Sequence, residues 1–238
     1  MHDPSKPLAG WTVAFDLDGT LVETAPDLIG ALNTVLVEEG LPAVPLSDAR
    51  VLVGQGARFL VRTGFDRAGA ALSEDDMPRL FGRFLEVYRG RIAAESRPFP
   101  GCLAALEALR VRGAALAVCT NKPQALTDLL LEALDMTSLF AAVVGGDVLP
   151  TQKPDPATLL LAIARCGGDP ARAILVGDAS PDTGAASAAG VPCVVVDFGY
   201  TLTPAAELGG TVLMSDYAEL AGVIEALTAS CRTPTLPL

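Results

Sequence analysis

Short apolar runs that break off at polar residues recur along the chain, and their lengths separate strands from helices. Residues 11–15 are β-formers interrupted only by Thr12, and they stop abruptly at Asp16, Leu17 and Asp18. Four later runs share this form, at residues 114–119, 141–145, 173–177 and 192–196. Each is apolar almost throughout rather than alternating, which is the pattern of a strand covered on both faces. Residues 100–112, 123–134, 156–166 and 181–189 instead carry apolar positions at helical spacing, several with proline near the first turn and glycine beyond the end. Strands alternating with helices predict an α/β fold, a doubly wound parallel sheet with helices on both faces.

Between Thr24 and Pro98 the rhythm changes. No strand-like run occurs there, and helices are expected near residues 26–39, 47–53, 57–70 and 74–94, the first ended by Gly40 and Pro42. Most of the arginines also fall in this segment. The chain is therefore divided into a core of residues 1–23 and 99–238 and an all-helical insert of residues 24–98. There are no internal repeats or low-complexity tracts, and residues 233–238 are expected to be loose.

Composition narrows the function. Half of the 238 residues are apolar, enough for one large core. A formal charge of −11, from 28 acidic and 17 basic residues without a basic run, argues against nucleic acid or an anionic membrane as partner but leaves room for a small anionic substrate. The start MHDPSKPLAG lacks the charged and apolar regions of a secretory leader, and no apolar stretch reaches a membrane span, so a cytoplasmic location is expected. Five cysteines without a CxxC pair suggest reduced thiols. His2 is the only histidine and lies in a terminal segment, which removes Ser-His-Asp hydrolysis and histidine-rich zinc sites. Carboxylates, a lysine or water must do the acid–base work.

Polar residues gather where the strands end. Asp16 and Asp18 follow the first, Thr120 and Asn121 the second, Lys153 and Pro154 come after the third, and Asp178 and Asp182 follow the fourth. Open parallel sheets place ligands beyond the carboxyl ends of their strands, so these residues are expected at one site. Together they describe Mg²⁺-dependent phosphoryl transfer. Asp16 is suited to attack phosphorus and form an aspartyl-phosphate, with Asp18 as general acid and then base. Asp16, Asp18 through its carbonyl, Asp178 and Asp182 would hold Mg²⁺, a hard cation that prefers oxygen ligands. Lys153 would offset the phosphate charge, and Thr120 with nearby backbone N–H groups would hold phosphoryl oxygens.

The ordered set DLDGT, TN, KP and GDxxxD resembles the four motifs of the haloacid dehalogenase superfamily over nearly the whole chain. The resemblance implies a Rossmann-like core, an aspartyl-phosphate intermediate, Mg²⁺ and a helical cap inserted after the first motif. Further stretches, among them LVETAPDL at 21–28, VGQGARFLV at 53–61 and DFGYTLTPAAELG at 197–209, are similar to the superfamily's phosphatases acting on 2-phosphoglycolate. That implies a small phosphate ester as substrate, with monomer and homodimer both open. Gly19, Thr20 and Asn121 are expected to contact substrate, as are Gly54, Gln55 and Gly56 at a helix junction and Arg58 through a carboxylate. Glu23 and Ala179 depart from the pattern, which has Asp and Ser there.

Three competitors are weaker. A mutase of this superfamily carries a histidine where this chain has Leu28. A non-enzymatic binding protein would be expected to have lost a charged motif residue. Other small esters or pyrophosphate stay open, because caps change substrates on an unchanged core. CGGDPAR at 166–172 matches a C-x5-R phosphatase pattern but follows a helix instead of a strand, and the Gly54 and Gly56 pair lacks the third glycine of a dinucleotide loop.

Overall fold

A computed structural model describes residues 5–48, 52–53 and 56–232. Its centre is β1, Thr12–Phe15, four residues buried on both sides. Parallel β4 (Ala115–Cys119) and β6 (Ala173–Gly177) flank it, with Phe15 opposite Val118 on one side and Val176 on the other. Beyond them lie β5 (Ala142–Val144), β7 (Cys193–Val196) and β8 (Val212–Met214), in the order β5-β4-β1-β6-β7-β8. Strand order reverses at β1, and a crevice opens at such a switch point. The matched register brings the ends of β1, β4 and β6 to one edge.

Period-two alternation within each strand divides the core into two layers. Val13, Phe15, Leu116, Val118, Ile174 and Val176 face one side. There they pack with α4 (Cys102–Val111), α5 (Gln124–Ala133) and α8 (Leu220–Arg232). Ala14, Ala117 and Leu175 face the other, covered by Leu159, Ala162 and Ile163 of α6 (Ala157–Arg165) and by Ala186 of α7 (Ser180–Ala189). Burying each large side chain contributes about 1.5–3 kcal/mol, which is why the strands tolerate so few polar residues.

The expected α/β architecture is present, and the structure adds to it. Val212–Met214 makes a sixth strand and Leu220–Arg232 a final helix, neither of which the sequence reading predicted. Three residues between Thr211 and Ser215 are too few to stand out as a run, and the strand is defined by pairing with β7.

In the helical segment, α1 (Ala25–Glu38), α2 (Ala57–Arg67) and α3 (Met77–Gly90) bury Leu32, Leu36, Leu60, Phe65, Leu80 and Phe84. Of the helix expected at 47–53, the described residues show a 3₁₀ turn at Leu46–Asp48 and helical residues 52–53, while residues 49–51 lie outside the described residues. Where the chain passes between this segment and the sheet, β2 (Val22–Glu23) and β3 (Arg97–Pro98) pair antiparallel. Among the described residues no helix is long and apolar enough to cross a membrane.

Candidate active site

Asp16 continues directly from β1, its N–H bonded to the Val176 carbonyl at 2.9 Å. Ligand-capable oxygens of Asp16, Asp178 and Asp182 lie within 4.8 Å of one another. Lys153 reaches into this group from the loop before α6. Its Nζ is 2.9 Å from Asp16 Oδ1, and it donates to Asp182 Oδ1 at 2.6 Å and to the Cys119 carbonyl at 2.7 Å. Asn121 fixes that loop: its Nδ2 donates to the Lys153 carbonyl and its Oδ1 accepts from the Lys153 N–H, each at 2.9 Å.

Each partner of the triad is held by its own supports. Asp178 Oδ1 accepts from the Thr20 hydroxyl at 2.8 Å, and its Oδ2 accepts from the Tyr200 N–H at 2.6 Å. Asp182 sits in the first turn of α7, and its Oδ2 accepts from the N–H groups of Asp178 and Ala179. That contact caps the helix from within, in a place where Ala179 has no side-chain oxygen to do it.

Asp18 is turned elsewhere. Lys122 Nζ donates to both its oxygens, at 3.0 and 3.1 Å, and to the Tyr88 hydroxyl of α3 at 2.7 Å. The ammonium also lies 4.5 Å from the Tyr88 ring centroid. Sequence reasoning passed over both residues. Lys122 stands beside Thr120 and Asn121 and could have been suspected from that position. Tyr88 could not, because only tertiary packing brings α3 over the end of β4.

The remaining expected contacts are spread more widely. Thr120 is buried on the cavity wall, and its Oγ1 accepts from the Lys122 N–H at 3.2 Å. Gly19 donates its N–H to the Val22 carbonyl, and the Thr20 hydroxyl is committed to Asp178, so both residues shape the loop that carries Asp18. Gly56 reaches the cavity wall, whereas Gly54 and Gln55 lie outside the described residues. Arg58 is exposed, with its guanidinium 5.4 Å from the Phe81 ring centroid, and is not part of the wall. Glu23 is exposed in β2. Cys102, Cys119, Cys166 and Cys193 are free thiols.

Asp16, Asp18, Lys122, Lys153, Asp178 and Asp182 line a cavity of about 490 Å³, its floor formed by Asp16 and Asp178 and its roof by Leu28, Leu60 and Phe84 of the helical segment. Burial pushes the Asp16 carboxyl up to about 6, against the pull of the Lys153 ammonium and with Asp182 and Asp18 adding like charge. Burial, joined by the charges of Asp182 and Asp16, also holds Asp178 well above the ordinary range. Burial alone would lower Lys153 and Lys122, but their carboxylate neighbours raise both. Three carboxylates thus face one ammonium, an excess of negative charge that a divalent cation would balance. Asp16 Oδ1 is buried and, apart from the Lys153 ion pair, has no hydrogen-bond partner among the described residues. An all-oxygen donor set with an under-satisfied carboxylate fits a hard cation such as Mg²⁺.

Comparison with known proteins places the chain among hydrolases. The family described as Haloacid dehalogenase-like hydrolase matches residues 13–196. A phosphoglycolate phosphatase of Caulobacter vibrioides is 46% identical over 238 residues, covering 100% of this chain and 99% of the relative. Another from Agrobacterium fabrum is 44% identical, covering 91% and 92%. Among solved structures, that of a predicted phosphoglycolate phosphatase from Haemophilus somnus superposes with a TM-score of 0.83 at 32% identity, covering 91% of this chain and 98% of that one.

Proposed function

The chain belongs to the haloacid dehalogenase-like hydrolase family, and from that premise we propose that it hydrolyses 2-phosphoglycolate to glycolate and phosphate with the help of Mg²⁺. The observation that carries the reading is the Asp16–Asp178–Asp182 cluster with Lys153, at the strand ends beside Asp18. The full-length relatives named phosphoglycolate phosphatase supply the substrate. In this reading residues 24–98 act as a cap over a core of residues 1–23 and 99–238.

Asp16 attacks phosphorus, and the bond from phosphorus to the ester oxygen breaks as Asp18 gives that oxygen a proton. The product is an aspartyl-phosphate on Asp16 and free glycolate. Asp18, now a carboxylate, takes a proton from water, which attacks phosphorus and releases phosphate from Asp16. Lys153 orients Asp16 and offsets charge on the phosphoryl oxygens, and Thr120 offers them a hydroxyl. Asp16, the Asp18 carbonyl, Asp178 and Asp182 would hold Mg²⁺, which would offset the rest of the negative charge on the phosphoryl oxygens. The apolar roof keeps bulk water away while Asp16 attacks, so the phosphoryl group passes to Asp16 before the water activated by Asp18 takes it. Leu28 lines the cavity where a mutase would need an imidazole, so transfer to water is favoured over transfer to a second hydroxyl.

Phosphate release from 2-phosphoglycolate, pyrophosphate, a sugar phosphate and p-nitrophenyl phosphate, with Mg²⁺ and with EDTA, tests this. The expected result is a kcat/KM for 2-phosphoglycolate well above the others, lost in EDTA. Metal-dependent turnover of another ester with little phosphoglycolate activity would keep the chemistry and reject the substrate.

A further inference from the structure

The cavity wall carries two cations, Lys122 and Lys153, among the described residues. Lys153 is committed: Asp16, Asp182 and the Cys119 carbonyl take up its three N–H bonds. Lys122 is different. Its anionic partner is Asp18, the group assigned to protonate the leaving oxygen, and its other partner is the Tyr88 hydroxyl from α3. An ammonium this buried needs an anion at all times, because an isolated charge in such a setting is strongly disfavoured. When Asp18 carries the proton it gives to the ester oxygen, it is neutral and no longer supplies Lys122 with an anion. Once substrate is bound, a second anion has to share the ammonium.

Distance says where that anion must be. Asp18 lies 3.0 Å from Lys122 Nζ, and the ester oxygen would lie about 3 Å from Asp18 across one hydrogen bond. The ammonium is then within about 6 Å of the ester oxygen, a span of two hydrogen bonds in series. A carboxylate one carbon from the ester oxygen falls in that interval. The Tyr88 hydroxyl accepts from Lys122 and so has its own proton to offer the same carboxylate.

We propose that Lys122, together with the Tyr88 hydroxyl, determines substrate choice by binding a carboxylate on the leaving group, one carbon from the ester oxygen. The inference rests on the phosphoglycolate reading and deepens it by assigning the groups that recognise the glycolate half. Arg58, the cation suggested by sequence, stands outside the cavity wall, whereas Lys122 is in it. Because Tyr88 belongs to α3 and Lys122 to the loop after β4, the same contact joins substrate recognition to the seating of the helical segment on the sheet.

The test compares kcat/KM for 2-phosphoglycolate and 2-hydroxyethyl phosphate, in which a hydroxymethyl group replaces the carboxylate, for the wild type, Lys122→Met and Tyr88→Phe. The wild type should prefer 2-phosphoglycolate by on the order of 100-fold, as expected for a buried charge pair. Lys122→Met should bring the two esters to within a few fold of each other, with the loss seen mainly in KM for 2-phosphoglycolate. Tyr88→Phe should reduce the preference by about 5-fold, the value of one hydrogen bond. Equal losses on both esters in Lys122→Met, with the preference intact, would overturn the proposal and leave Lys122 as a support for Asp18. If Lys122→Met does not fold, an unchanged preference in Tyr88→Phe overturns it instead. A wild type indifferent to the carboxylate would be a different failure, that of the phosphoglycolate reading itself.

Discussion

At the scale of single residues, Asp178 depends on what its neighbours lack. A Cβ on Gly199 would fall 2.2 Å from the Asp178 Cβ, and one on Gly19 would fall 2.5 Å from its Oδ2. Gly19 also has a φ of +83°, a conformation costly for any other residue. Gly199→Ala is therefore expected to displace the Asp178 carboxylate and weaken divalent-cation binding by at least about 10-fold, since supports of metal ligands typically carry that much. Titrating the rise in melting temperature with Mg²⁺ checks this, and wild-type affinity in the variant would refute it. Residue-level chemistry was largely legible in the sequence: Asp16, Lys153, Asp178 and Asp182 were expected at one site and are found together. The roles given to Gly19 and Thr20 were less so. Both sit beside Asp178 as supports, a distinction that depends on loop conformation and cannot be taken from residue type.

At the scale of elements, the two passages between the helical segment and the sheet are tied by a buried carboxylate. Asp27, in the first turn of α1, accepts from the Ser96 N–H and hydroxyl at 2.7 Å, from the Glu95 N–H at 2.9 Å and from Arg91 Nε at 3.2 Å. Burial alone would raise its pKa, but these bonds outweigh it and hold Asp27 below its ordinary value. A depressed carboxyl stabilises the fold above its unfolded pKa, about 3.9, and that contribution is lost as pH falls through the folded value. Asp27→Ala is expected to cost about 2–4 kcal/mol at neutral pH, with the gap to wild type narrowing below about pH 4. Denaturant melts across that range measure it, and a pH-independent gap would contradict the account. The clasp was not legible in the sequence, because Asp27 and Ser96 are 69 residues apart. The strands and helices with long apolar patterns were legible. The short β8 and the paired β2 and β3 were not, since two or three residues leave no periodicity to detect.

At the scale of the whole molecule, folding gathers like charge beyond the end of β1. The Asp16 carboxyl, raised to about 6, binds its proton more tightly folded than unfolded. Without metal, the stability this carboxyl lends is present at low pH and declines as pH rises through about 6, because the cluster must then ionise. A bound divalent cation would remove the penalty. Mg²⁺ should accordingly raise the melting temperature more at pH 8 than at pH 5, and Asp178→Asn should reduce the rise. An equal effect at both pH values would count against Mg²⁺ binding at this cluster. The parallel sheet with its site at the strand ends followed from the alternation of strands and helices, while the strand order around β1 and the closeness of the roof followed only from tertiary packing.

The central claim is covalent catalysis by Asp16. Acid quenching during steady turnover of 2-phosphoglycolate, followed by borohydride, reduces an acyl phosphate to an alcohol and leaves free carboxylates untouched. Peptide mass spectrometry should then find homoserine at position 16 in the wild type and no turnover in Asp16→Asn. Full turnover in Asp16→Asn, or reduction at Asp18 in place of Asp16, would contradict the mechanism.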